Sequence, residues 1–358
     1  MKNIMFIKKK SILLSSTTFN KIIKDGIYYH TKSIYDNLSN IYKVRKLTFK
    51  SNYNFWTKYP YSYYAVFNFI TNINFKLKSK IDLIHTTDHR FIYSKSTPII
   101  NTIHDVIPLE SPEWEKNFLR KKLYKNFFLK GIERSDQIIT VSNFSANKLN
   151  LLGIKSDKIN VVYNAPRDFF FQNNSLKQKK KYILFVGTIS PRKNLFRTLK
   201  AFTLLDKNIF YDYKLIIIGK INYIGLEEHL LLVKLIKLNK VLFFPNASDN
   251  VLLDYYQKSQ VLVFPSLSEG FGYPILEAFA TKLPVITSKF GATKEIAGNA
   301  ALFINPFNID EIKNSIIELI TNKKLNTTLI NAGSERLNFF SNKKFINETN
   351  KVYKKVIL

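Results

Sequence analysis

The sequence predicts an α/β protein made of two successive halves, each a parallel β-sheet flanked by helices. Short apolar runs of strand length alternate with longer helix-like segments, which is the pattern of strand–helix–strand crossovers. The alternation breaks near residue 170 and then restarts. A chain of 358 residues with 46% hydrophobic content is also long enough for two cores.

In the first half, strands are expected at Ser11 to Leu14, Ile81 to His85, Ile99 to Ile103, Gln137 to Val141 and Ile159 to Tyr163. Helical patterns cover Lys32 to Leu38 and Asn117 to Ile132. Asn164 to Lys181, with Pro166 near its start and the basic run Lys177 to Lys181 at its end, reads as the connection. The expected domains are therefore residues 1–170 and 182–342, joined by a linker at 171–181 and followed by a helix at 343–358. In the second half, Tyr182 to Val186, Lys214 to Ile218, Val241 to Phe244, Gln260 to Phe264, Pro284 to Thr287 and Ala301 to Ile304 read as strands. Helices Asn194 to Leu204, Gly225 to Leu238, Asn250 to Lys258 and Asp310 to Asn322 fall between them, and no internal repeat is present.

The net charge of +29 invites a nucleic-acid or anionic-membrane reading, but its distribution argues for discounting it. Lysine outnumbers arginine 47 to 8 beside 30 Phe and 20 Tyr, the signature of AT-rich codons at tolerant surface positions. The excess is spread, +16 over residues 1–170 and +13 over the rest, and no nucleic-acid motif accompanies it, so no nucleic-acid partner is expected. The absence of cysteine excludes disulfides and thiolate metal sites. Lys8, Lys9 and Lys10 interrupt the apolar start, which reads as a first strand and not a signal peptide, and no apolar run reaches membrane-spanning length.

Chemistry concentrates in Phe264-Pro-Ser-Leu-Ser-Glu-Gly-Phe-Gly-Tyr-Pro-Ile-Leu-Glu277, between a strand and an apolar helical run. Gly270 and Gly272 let backbone approach a ligand, and a helix N-terminus favours phosphate. Pro274 suits a first helical position, which puts Glu277 on the first turn. Glu277 is then placed to accept from ribose hydroxyls and Glu269 to reach a sugar. The spacing of the two glutamates alone is weak; the Gly-Phe-Gly-Tyr-Pro between them is what makes the motif specific.

This segment resembles the signature of the retaining GT-B glycosyltransferases of family four, in which two glutamates flank seven residues in a Ser-x-x-Glu-Gly-Phe-Gly-x-Pro-x-x-Glu-Ala setting. The resemblance implies two Rossmann-like parallel-sheet domains facing a central cleft, with the C-terminal helix crossing back. It extends to Gly187-Thr-Ile-Ser-Pro-Arg-Lys-Asn194, where Arg192 and Lys193 match the basic residues that hold the donor diphosphate and Thr188 replaces a basic residue common in the family. In Thr102 to Trp114, His104 matches a histidine that approaches the donor sugar, and Asp105 fixes the loop. Arg134 to Ser145 matches a strand and helix cap, with Ser142 or Asn143 as the cap. Lys24 to Tyr28 resembles the glycine loop that faces the diphosphate, although only Gly26 survives and Tyr28 stands where a second glycine is usual. Phe243 to Asp249, with Pro245 for a glycine and Asn246 beside it, matches the base-side segment.

The implied donor-binding residues are Gly26, Gly187, Asn246, Gly270, Phe271, Gly272 and Glu277; those for catalysis are His104, Arg192, Lys193 and Glu269. The implied reaction is a retaining hexosyl transfer by front-side attack. No Asp-x-Asp and no histidine cluster occur, so no metal is expected, and the nucleotide sugar serves as substrate with no cofactor. The nearest likeness, to mannosyltransferases of bacterial surface polysaccharide assembly, points to GDP-mannose and a glycan carried on a polyprenyl diphosphate, at the inner face of the cytoplasmic membrane. A GT-B nucleotide-sugar epimerase and a non-catalytic sugar-nucleotide or membrane-binding protein stay open. Finally, Trp114 to Lys130 places Trp114, Phe118, Leu119, Phe127, Phe128 and Leu129 among Arg120, Lys121, Lys122 and Lys125. That composition suits an anionic surface, aided by the aromatic stretch Tyr53 to Phe69, or an ordinary amphipathic helix on the first sheet.

Overall fold

A computed structural model describes residues 9–16, 18–20, 25–47, 80–88, 94–110, 118–171 and 177–357. The chain divides into two compact units, Met1–Asn164 with Asn342–Leu358, and Ala165–Ser341. The second unit starts ahead of the expected linker at 171–181 because Arg167 and Phe170 already pack inside it.

In the first unit the described elements run β1 (Ser11–Ser15), α1 (Gly26–Leu38), β2 (Lys43–Leu47), β3 (Leu83–Thr86), β4 (Ile99–Ile103), α2 (Ile107–Glu110), α3 (Phe118–Glu133), β5 (Gln137–Thr140), α4 (Asn143–Leu151) and β6 (Ile159–Val161). The strands form one parallel sheet in the order β2-β1-β3-β4-β5-β6. Strand β2 has no counterpart among the expected strands. It is a half-exposed edge whose sequence, Lys-Val-Arg-Lys-Leu, carries the charges that keep an edge from pairing further. Helix α1 begins at Gly26, six residues before the expected start, because the Asp25 carboxylate caps it by accepting from the Tyr28 N–H at 3.0 Å. Its inner face presents His30 and Thr31 with Ile34 and Leu38, so apolar periodicity understates it. Ser142, and not Asn143, caps α4. Phe128 of α3, expected among membrane-facing residues, is buried against Leu109, Ile132 and Leu149. Lys122 and Lys125 are exposed, whereas Trp114 and the Tyr53 to Phe69 stretch lie outside the described residues.

The second unit runs β7 (Tyr182–Val186), α5 (Leu195–Thr203), α6 (Lys207–Asp212), β8 (Lys214–Ile218), α7 (Leu226–Lys237), β9 (Val241–Phe244), α8 (Asp249–Lys258), β10 (Val261–Phe264), α9 (Tyr273–Ala280), β11 (Val285–Ser288), α10 (Gly291–Ala297), β12 (Leu302–Ile304), α11 (Ile309–Thr321) and α12 (Lys323–Arg336). Its sheet is again parallel, in the order β12-β11-β10-β7-β8-β9. Alternate residues of β7, β8 and β10 are buried on both faces, which is why these strands read as unbroken apolar runs. Ile183, Phe185, Leu215, Ile217, Val261 and Val263 form one face of the core, under Leu199, Phe202, Ile312 and Ile316. Helix α12 was not anticipated: its stripe is weakly apolar, and it docks through Gly333, where a Cβ would come 2.7 Å from the Phe279 ring. Arg336 at its end donates from Nε to the Ile296 carbonyl (3.0 Å) and from Nη2 to that of Glu295 (2.7 Å), satisfying the last turn of α10.

The strand order reverses between β7 and β10, the place where open parallel sheets take ligands at their carboxyl ends. Beside it, Gly219 after β8 has φ 148° and sits so close to the turn after β7 that a Cβ would lie 2.0 Å from the Gly187 carbonyl oxygen. Only glycine fits there. The final helix, α13 (Asn342–Ile357), packs on the first unit. Tyr353 Oη lies 2.7 Å from His85 Nδ1, and Tyr42 donates to Asn350 at 2.6 Å.

Candidate active site

The chain leaving β7 passes Gly187 and turns through a short 3₁₀ segment, Pro191–Lys193, to reach Asn194 at φ 62°, ahead of α5. The Asn194 side chain donates to the carbonyls of Pro265 (3.1 Å) and Pro306 (2.6 Å), tying this loop to the one that follows β10. The backbone repeats the tie, since Leu267 N–H donates to the Arg192 carbonyl at 2.8 Å. Arg192 and Lys193 are thereby set against Glu269. Arg192 Nη1 is 2.8 Å from Glu269 Oε2 and donates to the Ser268 carbonyl at 2.7 Å, while Lys193 Nζ is 2.6 Å from Glu269 Oε1.

Lys193 and Glu269 are buried, and the Arg192 side chain is a quarter exposed. The Lys193 ammonium also lies 4.7 Å from the Phe264 ring centre, and its stem runs beside Gly187, where a Cβ would meet Lys193 Cε at 3.2 Å. Burial raises the Glu269 pKa, but Arg192 and Lys193 outweigh it and bring the group down to about 2. The result is a fixed carboxylate between two cations, with local charge +1, at the reversal of the sheet. A structural ion pair would look similar taken alone. Its position, beside a loop that leads into a helix N-terminus, is what fits a phosphate.

Gly272, at φ 116°, caps α9, so the helix starts at Tyr273 with Pro274 second. Glu277 therefore begins the second turn, not the first as expected. It is buried and held by two neighbours. Arg167 donates from Nε (2.9 Å) and approaches with Nη2 (2.8 Å), both at Oε1, and the Tyr256 hydroxyl donates to Oε2 at 2.9 Å. Gly270 is buried, and the Phe271 ring turns inward against Tyr273 and Phe340, so any ligand contact from Phe271 is through its backbone. Asn246 sits exposed in the turn after the edge strand β9, separated from the Glu269 cluster by β7 and β8.

The other two anticipated residues belong to the first unit. Gly26 is the first residue of α1, and Tyr28 lies within that helix. His104 follows β4, is buried, and donates from Nε2 to the Thr87 carbonyl at 3.0 Å, with the His30 ring edge-on at 4.7 Å. Asp105 accepts from the Ile107 N–H at 3.0 Å and so shapes the loop. Among the described residues, no three His, Cys, Asp or Glu side chains are grouped to hold a metal.

Residues 33–165 match the model of Glycosyltransferase Family 4, and residues 166–336 match Glycosyl transferases group 1. The chain belongs to the family-four, group 1 glycosyltransferases. It is 32% identical over 252 residues to the O-antigen chain mannosyltransferase RfbU of Salmonella typhimurium, a match that covers 69% of this chain and 66% of that protein. This glycosyltransferase also superposes on two solved structures. WaaG, a glycosyltransferase involved in lipopolysaccharide biosynthesis, gives a TM-score of 0.71 at 17% identity over 95% of this chain and 99% of that one. Anabaena HepE, in complex with UDP and glucose, gives 0.71 at 16% identity over 97% and 100%. These similarities establish the GT-B fold.

Three residues around this glycosyltransferase's candidate site are assigned no role by the motifs: Asn194 as the tie between loops, and Arg167 and Tyr256 as the partners of Glu277. For Arg167 a signal existed. In a chain with 47 lysines and 8 arginines, an arginine marks a place where fork geometry is needed and a point charge does not serve.

Proposed function

We propose that this glycosyltransferase moves a hexose from a nucleotide sugar to a lipid-linked glycan, with retention at the anomeric carbon and without a metal ion. The observation that carries this reading is the Arg192–Glu269–Lys193 cluster, with Lys193 and Glu269 buried, where β7 and β10 meet. As the bond from the anomeric carbon to the diphosphate breaks, negative charge grows on the leaving oxygens. Arg192, Lys193 and the backbone N–H groups of the Gly270 to Gly272 loop are preorganised to stabilise it. The acceptor oxygen bonds to the anomeric carbon on the same face, and its proton passes to the departing phosphate. Two side-chain cations supply the charge a divalent ion would otherwise bring. Glu269, ionised at any working pH, accepts from sugar hydroxyls, and Glu277 accepts from the ribose.

Mannose from a GDP-linked donor is the favoured sugar, because RfbU is a mannosyltransferase of O-antigen chains. Among the described residues no helix is long and apolar enough to cross a membrane. The proposed attachment, to the inner face of the cytoplasmic membrane, is a charge-driven one through exposed lysines such as Lys122 and Lys125 of α3. Co-sedimentation with anionic vesicles that is lost at high salt checks this; equal binding to neutral vesicles rejects it.

Calorimetry with a bare nucleoside diphosphate tests the site. Glu277→Ala is expected to weaken nucleotide binding, while Glu269→Ala lowers turnover more than affinity. Unchanged affinity in both would remove the assignment. Transfer is expected to survive EDTA; its loss on chelation and recovery with Mg²⁺ would reject the metal-free mechanism.

A further inference from the structure

The chain enters the second unit through residues to which no motif assigns a role. Arg167 precedes a short 3₁₀ turn, Asp168–Phe170, that its carbonyl closes by accepting from the Phe170 N–H at 3.0 Å. Phe170 is fully buried, edge-on to Tyr256 with ring centres 5.4 Å apart, and the Arg167 guanidinium lies 4.4 Å from the Phe170 ring centre. The guanidinium then divides its donors. Nε and Nη2 go to Glu277 Oε1, and Nη1 donates to Asp249 Oδ1 at 2.9 Å, at the start of α8. Tyr256, from the same helix, donates to the other oxygen of Glu277. Burial beside the Glu277 carboxylate pushes the Tyr256 phenol up, so it remains a donor.

We propose that Arg167 is a positioning residue: clamped by Phe170 and Asp249, it fixes the rotamer of Glu277 and thereby sets the affinity of the second unit for the nucleoside diphosphate. This rests on the reading of Glu277 as the ribose acceptor. An ionised carboxylate offers about four acceptor positions. Arg167 and Tyr256 fill three, which leaves Oε2 with room for one incoming hydroxyl, in a direction dictated by the other three. Without the guanidinium, the buried carboxylate would keep only the phenol and would turn toward whatever donor it could reach. A lysine at 167 could not replace it, because one nitrogen cannot serve Glu277 and Asp249 while stacking on Phe170.

The test is calorimetry with nucleoside diphosphate on Arg167→Met, Arg167→Lys, Asp249→Asn, Glu277→Gln and the Arg167→Met/Glu277→Gln double variant, each first checked by circular dichroism and melting. Arg167→Met is expected to weaken binding ~10- to 100-fold, the scale of losing a hydrogen bond to a charged group. Donor KM should rise more than kcat falls. Arg167→Lys should recover little of the affinity, and Asp249→Asn should weaken it by a smaller factor. The double variant should bind no worse than Glu277→Gln alone, since both changes act through one carboxylate. If Glu277→Gln weakens binding but Arg167→Met does not, or if the two losses add, the positioning role is overturned and the ribose assignment stands. If Glu277→Gln leaves binding unchanged, the assignment of Glu277 falls and this inference falls with it. Should Arg167→Met fail to fold, Arg167→Lys and Asp249→Asn decide: wild-type affinity in both would overturn the proposal.

Discussion

Lys193→Ala is expected to slow hexosyl transfer by ~10²-fold or more at saturating donor, the loss that follows removal of one preorganised stabilising donor. The ammonium cannot be replaced from nearby. It is buried between Glu269 and the Phe264 ring, with its stem filling the space beside Gly187. Arg192 approaches the other oxygen of Glu269 and is anchored to the Ser268 carbonyl, so it is not free to cover both positions. Lys193→Arg should rescue poorly, because the bulkier fork meets the Gly187 backbone and the Phe264 ring.

The change should also reach stability. Glu269 has its pKa depressed to about 2 in the folded state, so its contribution is complete above the ordinary carboxylate range and disappears as pH falls through about 2. Taking away one of its two cations raises that pKa toward the unfolded value, so the acid limb of the variant should start in the same carboxylate range but be shallower and end at a higher pH. Initial rates with melting curves on the same preparations separate the two effects. A Lys193→Ala rate within threefold of wild type, in a folded protein, would remove Lys193 from the catalytic set.

The first unit is expected to lose about 3 kcal/mol of stability between pH 7.5 and 5.5, because it buries two histidines that must stay neutral. Burial and the neighbouring His104 hold His30 well below the usual histidine range, with the Asn164 bond opposing them in part. Burial and His104 push His85 down to about 3. Both rings are enclosed: His30 by Asn164, His104 and Phe345, and His85 by Thr102 and Tyr353. An unfolded chain takes up these two protons near pH 6.5, and the folded one does not. Stability is therefore full above 6.5 and falls by ~1.4 kcal/mol per pH unit per histidine below it. Urea titrations at each pH, read by hydrogen exchange in α1 and β3, would follow the unit itself. His85→Gln should roughly halve the slope. A midpoint unchanged from pH 7.5 to 5.5 would show that these rings accept protons within the fold.

Legibility in the sequence followed burial. The strands Tyr182–Val186 and Lys214–Ile218 have the limits read from the apolar runs alone, because a parallel strand covered on both faces has little reason to carry a polar residue. Half-exposed β2, with Lys43, Arg45 and Lys46, carried no such mark. Gly270, Gly272 and Glu269 were legible because backbone freedom and a charge between a strand and a helix leave a local signature, although the helix start was misjudged by one residue and Glu277 moved to the next turn.

By itself, then, the sequence determined the elements and the chemical groups: strand alternation, a glycine loop ahead of a helix with its two glutamates, and a basic pair after an earlier strand, each a local signature of a few residues. Which group meets which was decided only in three dimensions. Lys193 reaches Glu269 across 76 residues of chain because the reversal of strand order sets β7 beside β10. Arg167 reaches Glu277 across 110 because the entering segment is pinned by Phe170 against Tyr256. Periodicity is a property of neighbouring residues and survives in the linear chain. The pairing of a cation with a distant carboxylate depends on strand order and packing, and it exists only once the sheet has formed.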